Sequence, residues 1–385
     1  MNDFKDNSWN DKPRKRPRRY SGPALNEEIQ QLPGGAPRMA ALREAIAQAD
    51  REEDHRWRLF FRYDYACEAI FRDDPPKCMP VAAEFQAIFE EHPDALGPSG
   101  KEMYLMIMQM GVDPIASLPQ IPLAQWEKLM EDYHKLVKRF GGLGLRTYYQ
   151  QMFQFLVPVD FDRAYDYFQK FWKTGRDAIS DCRACERSYA VRMSLLAGDR
   201  AAADNYGKPL KEGRISFCSD TPQKMWLAYL EDAYRRGDYK EAAPIAEALY
   251  RKGDKDRSNL DYVGAVLQCW AHTDNDRAVA LAEKRLVWSL GMWDQKLVYD
   301  FSKGAWLTFR ELGKRMETVK LELPREFPLW REDGEYNAGR LAEYFHDQAE
   351  EVAGRFDARN GSKWFQDDLK AAGQPPQTLP GAVAP

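Results

Sequence analysis

The chain has 385 residues, 44% hydrophobic and 30% charged, with a formal net charge of −4. That apolar content suffices for a continuous core and excludes a chain disordered throughout. The near balance of signs argues against a surface built as a whole to grip nucleic acid or anionic lipid. No apolar run approaches the ~20 residues needed to cross a bilayer. The basic N-terminal stretch has no apolar segment behind it, so a secretory signal is not expected. Six cysteines without framework spacing fit a reducing compartment, and a cytoplasmic location is the expectation.

Residues 1–37 are rich in Asn, Asp, Lys, Arg, Pro and Gly, which predicts a disordered basic tail. Within it Arg14, Lys15, Arg16, Arg18 and Arg19 form a dense basic block. Such a block can touch phosphate backbones as an accessory contact. Pro13 and Pro17 oppose helix formation there, and a solvated tail is the plainer reading. A helical array is predicted over 38–320. Its first segment is Pro37 to Arg51, with Met39, Leu42 and Ile46 at spacings of three and four. His55 to Phe71 is followed by a shorter partner, Val81 to Phe89. Lys101 to Gly111 and Leu123 to Phe140 form the next pair, joined by a Pro-rich connection and closed by Gly141-Gly142. Thr147 to Val157 with Phe161 to Lys173 is the third.

The clearest units come next. Arg187 to Ala197 pairs with Ala201 to Leu210, Pro222 to Arg236 with Tyr239 to Arg251, and Asn259 to His272 with Asp276 to Leu290. Asp160, Asp199 and Asp238 lie 39 positions apart, and each opens a phrase with Ala four residues on. Asp274 begins a looser copy, 36 positions after Asp238. A period this long means one helix pair used repeatedly. Gly198 and Gly237 suit the tight turns between paired helices, and the Asp that follows each can accept the free N–H groups of the next helix. The small Ala lets the two helices approach closely. Beyond Gly304 the rhythm changes. Over 321–365 an extended connection, Leu321 to Leu329, leads to a long amphipathic helix, Tyr336 to Phe356, expected to cap the array. Residues 366–385 read as a flexible tail.

These units resemble the tetratricopeptide repeat family. Trp226, Ala233, Tyr234, Gly237, Asp238, Ala242, Ala243, Ala246 and Leu249 follow its pattern in the best copy, and Tyr189, Gly198, Asp199, Ala202 and Ala203 follow it in part. The period departs from the family's 34 residues, and the closing Pro is missing from these units. The likeness spans about residues 55–290 and implies an all-α, right-handed α-solenoid of antiparallel helix pairs with a C-terminal capping helix. The chain is also similar to bacterial repeat proteins with a CxxC near mid-chain and an Arg-Phe-Asp-Ala-Arg-Asn-Gly phrase, here Arg355 to Gly361. That second likeness implies no activity.

Chemistry-bearing residues are few. Cys182 and Cys185 form a CxxC, and Cys218 follows Cys185 by 33 positions, close to one repeat. Successive units place equivalent positions side by side, so the three sulfurs are candidates to converge. Three thiolates and a fourth ligand, Asp220 or Asp254 being nearest, would suit structural zinc. A transient disulfide and plain packing of small apolar Cys remain alternatives. No other cofactor is indicated. The five His residues form no HExxH or HxH pair, no GxSxG is present, and Gly141-Gly-Leu-Gly144 follows a helix and lacks the Lys-Ser/Thr of a phosphate loop. In Phe356 to Gly361, Asp357 and Arg359 either contact a partner or belong to a helix end whose Arg359 answers the helix dipole.

The expected function is therefore non-enzymatic: an interaction scaffold whose concave face holds a peptide or protein segment. Arg62, Gln150, Arg192, Tyr229 and Gln268 are the expected groove residues. The alternative is a regulator that contacts nucleic acid through the basic tail; no membrane association is expected.

Overall fold

The computed structural model describes residues 20–218, 221–253 and 256–374. It divides into two compact units, residues 1–111 and 112–385.

The first unit holds α1 (Gly22–Gln30), α2 (Ala36–Arg51), α3 (His55–Arg72), α4 (Cys78–Glu91) and most of α5 (Gly100–Val112). Helix α1 lies in the stretch expected to be disordered. Ser21 Oγ accepts the Ala24 N–H, a Pro occupies the first turn, and Ile29 is buried. A cap, a preset φ and one apolar anchor suffice to order it. α2 packs on α3 and α3 on α4, around Leu42, Leu59, Phe61 and Phe85.

The second unit runs through α6 (Leu123–Arg139), α7 (Leu145–Leu156), α8 (Phe161–Lys173), α9 (Arg183–Leu196), α10 (Arg200–Lys211), α11 (Gln223–Arg235), α12 (Tyr239–Gly253), α13 (Leu260–Thr273), α14 (Asn275–Ser289) and α15 (Gln295–Gly313). A two-stranded antiparallel ribbon, β1 (Thr318–Lys320) with β2 (Glu335–Asn337), leads to α16 (Ala338–Asn360) and α17 (Trp364–Gly373). Each even-numbered helix from α8 to α16 packs on the one before it, and α9, α11, α13 and α15 pack in sequence on one another. This is a helical-repeat-like, all-helical architecture.

The repeated phrase builds the joints. Gly198 and Gly237 adopt φ of 76° and 71°, a left-handed conformation that costs glycine nothing and a side chain about 1–2 kcal/mol. Asp160, Asp199, Asp238 and Asp274 then accept the N–H of Arg163, Ala202, Glu241 and Arg277 at 3.0, 2.8, 3.0 and 3.4 Å. Ala164, Ala203, Ala242 and Ala278, four residues on, are each 0% exposed.

Gly304, where the sequence pattern breaks, lies inside α15. It crosses α13 at Gly264 with backbones nearly touching. A Cβ at Gly264 would sit 2.3 Å from Asp300 O, and one at Gly304 2.5 Å from Gly264 O. The break is thus a close helix crossing and not the end of the array.

α16 covers α15, through Phe345 on Phe301 and Phe309. The chain then continues into α17, correcting the expectation of a flexible tail from residue 366. The joint between α16 and α17 returns to the start of the second unit. Arg359 Nη1 donates to Ile115 O at 2.9 Å and Ser362 Oγ to Pro158 O at 2.7 Å, while Trp364 stacks on Phe161. Ser117 Oγ also donates to Asp294 Oδ2 at 2.8 Å. An open stack would leave these segments apart; here the late helices close onto the early ones.

Candidate functional site

Two constellations stand out in the second unit. The first is the thiol cluster. Cys182 is the N-cap of α9, and its Sγ accepts the Cys185 N–H at 3.2 Å. Cys185, in the first turn, is buried, and its Sγ lies 3.4 Å from that of Cys218. Cys218 belongs to the α10–α11 connection, where its N–H donates to Thr221 Oγ1 at 3.0 Å. All three sulfurs lie within 4.8 Å of one another, and none is in a disulfide. Burial pushes the Cys185 thiol strongly upward, the charge of Asp181 adds to this, and Lys224 opposes it. Asp181 itself accepts the Cys182 N–H at 2.7 Å and the Tyr189 hydroxyl at 2.8 Å.

Behind α9's first turn, Arg146 of α7 makes a two-pronged contact to Glu186, Nε to Oε1 at 2.9 Å and Nη2 to Oε2 at 3.0 Å. Its Nη1 donates to Phe171 O and Thr174 O, its guanidinium lies over the Phe171 ring, and Arg176 pairs with the same carboxylate. Both side chains are almost wholly inaccessible. A buried pair is tolerated when its remaining hydrogen-bonding groups are satisfied, and here the contacts bind α7, the end of α8 and α9 together.

The second constellation is a charged tract across successive helices. Lys224 and Glu231 of α11, Asp261 of α13, and Lys296, Asp300 and Lys303 of α15 recur at spacings of three, four and seven, which places them on one face of each helix. Their fields overlap from helix to helix. Asp113 feels Asp181 and Lys224; Lys296 feels Asp300, Asp261 and Arg192; Lys303 feels Asp368, Asp300 and Glu231. Lys296 leaves 42% of its side chain accessible, yet burial is the largest single influence on it. Asp113 is likewise exposed by area but pushed up to about 7 by desolvation. Both groups are thus partly exposed and carry charged neighbours on other segments of the second unit. Asp261 is also raised to about 7 by burial, with Lys296 opposing and Asp300 and Glu231 reinforcing the shift. Lys296 bonds Asp300 at 2.6 Å, and the buried Lys303 bonds Asp368 of α17 at 2.5 Å.

Of the expected groove residues, Arg192 and Gln268 are half-buried, and Arg192 borders the tract through its influence on Lys296. The other three are committed inside the fold. Arg62 is buried between Asp50 and Glu84 at 2.8 and 2.9 Å. Gln150 is buried and donates to Asp181 at 3.5 Å. Tyr229 is buried with its hydroxyl on Asp204 at 2.9 Å. Period alone located the first helices but not the rotation of each about its axis, so it did not show that these three side chains are buried. Lys224, Glu231, Asp261, Lys296 and Lys303, which were not among the expected residues, carry a signal in the sequence: charge recurring along one stripe of an otherwise apolar helix.

Asp357 and Arg359 serve the joint. Asp357 accepts the N–H groups of Phe365 and Gln366 at 3.0 and 2.9 Å, capping α17. Arg359 closes onto Ile115 and lies over the Phe155 ring. His346, Asp347 and Glu350 of α16 also lie within metal-ligand reach of one another, on a wet face. The basic block at Arg14, Lys15, Arg16, Arg18 and Arg19, and the ligand candidates Asp220 and Asp254, lie outside the described residues.

No helix among the described residues is long and apolar enough to cross a membrane. The chain matches no protein-family model and none of the curated proteins.

Proposed function

We propose that this chain is a TPR-like, right-handed α-solenoid of antiparallel helix pairs, its late helices closed back onto its early ones, that works in the cytoplasm as a non-enzymatic interaction scaffold. Its ligand is a peptide or protein segment carrying charges of both signs, held against the tract of α9, α11, α13 and α15. One observation supports the reading: charged side chains of both signs, several of them partly exposed, follow one another across these helices. Ion pairs built only for stability gain little when left wet, whereas a row of both signs offers register and partner choice to a charged segment.

The test is selection from a peptide-display library on the immobilised full chain and on a Glu231→Lys/Lys296→Glu variant. Peptides of mixed charge should be enriched on the wild type and bind the variant at least tenfold more weakly. Enrichment equal on both proteins would overturn the reading, as would none above a bare support.

A further inference from the structure

We propose that Cys182, Cys185 and Cys218 form a zinc site of three thiolates, and that the ion pins the α10–α11 connection to the N-terminus of α9. Tetrahedral zinc holds sulfur at about 2.3 Å, which sets bound thiolates about 3.8 Å apart. The cluster fits that triangle, with one separation of 3.4 Å and all within 4.8 Å.

Three further observations favour an ion over simple packing. The Cys182 sulfur accepts a backbone N–H from the first turn of α9, a contact that stabilises the thiolate, as does the positive end of the helix. Among the described residues, the neighbouring Asp181 is occupied by the Cys182 N–H and the Tyr189 hydroxyl, and the three sulfurs are the groups that converge. Three thiolates around Zn2+ carry one net negative charge, and Lys224, whose field acts on Cys185, opposes it. An ordinary cysteine thiol titrates at about 8.5 and is protonated at neutral pH. Zinc therefore displaces protons as it binds: Zn2+ joins three sulfurs, the S–H bonds of those still protonated break, and their protons pass to solvent. No electron changes hands.

The site shares Lys224 with the charged tract, but its three ligands do not belong to the tract, so zinc binding and peptide binding stand or fall separately. Full-length protein, reduced and stripped with a chelator, is titrated with Zn2+ alone and with Co2+ alone. One ion per chain should bind, with proton release on zinc addition and a sulfur-to-cobalt charge-transfer band of tetrahedral thiolate type. Cys218→Ser and Cys185→Ser should abolish stoichiometric binding, and Cys67→Ser in α3 should not. Where a variant misfolds by circular dichroism, alkylation of the wild type decides instead, zinc shielding three of the six cysteines. No stoichiometric zinc in the reduced wild type would overturn the proposal. So would unchanged affinity in a folded Cys218→Ser, a cobalt complex without thiolate bands, three thiols unshielded, or a Cys185–Cys218 disulfide persisting under reductant.

Discussion

At the scale of single residues, the helix-capping aspartates and the alanines behind them do most to define each joint. Asp199 is exposed and makes one cap bond, to the Ala202 N–H, so its contribution is that of the cap alone. Asp199→Ala should lower stability by about 0.5–2 kcal/mol, read as a fall in the urea midpoint at unchanged slope. An unchanged midpoint would show that water serves this helix end equally well. The Arg146–Glu186 pair is the opposite case, since its partners stand 40 positions apart. Local pattern reveals an aspartate before a helix; it does not reveal which distant carboxylate an arginine will meet.

Between elements, the closest approach is the crossing of α13 and α15. Small residues at a crossing let backbones touch, and a methyl group there must push the helices apart. With a Cβ at Gly264 only 2.3 Å from Asp300 O, Gly264→Ala should destabilise by about 1–3 kcal/mol, although alanine is the better helix former by up to about 1 kcal/mol. The sign is the test: thermal unfolding at a higher temperature than wild type would mean the crossing relaxes freely. This crossing also explains why α15 was missed in the sequence. Glycine at the contact reads as interruption when the pairing helix is unknown. α17 was missed for a related reason, since its ordering depends on Asp357 capping it from the preceding helix and on Phe365 stacking with Phe356.

At the scale of the whole second unit, closure gathers charges that the sequence scatters. Asp261 has an ordinary value of 3.8 and is raised to about 7 by burial, facing Lys296, Asp300 and Glu231. Between about pH 4 and 7 the folded chain holds a proton at this carboxyl that the unfolded chain has released, so stability falls as pH rises through that window. Asp113, raised in the same direction beside Asp181 and Lys224, adds to the slope. Asp261→Asn should flatten the loss of melting temperature over that window and raise stability above it relative to wild type. A variant with the wild-type pH profile would show that the carboxyl is ionised throughout.

What the sequence determined by itself was the periodic part of the molecule. A phrase of Gly, Asp and Ala repeated at 39 residues specifies turn, cap and close packing through interactions within about four residues, so the main helix pairs, their joints and the spacing of the three thiols could all be read from it. Only the tertiary structure decided which face of each helix is buried, that α1 and α17 are ordered, where α15 runs, and that α16 and α17 return to Ile115, Pro158 and Phe161. Those outcomes rest on contacts between segments up to 244 residues apart, whose complementarity arises only when the chain is folded and leaves no periodic trace in the sequence.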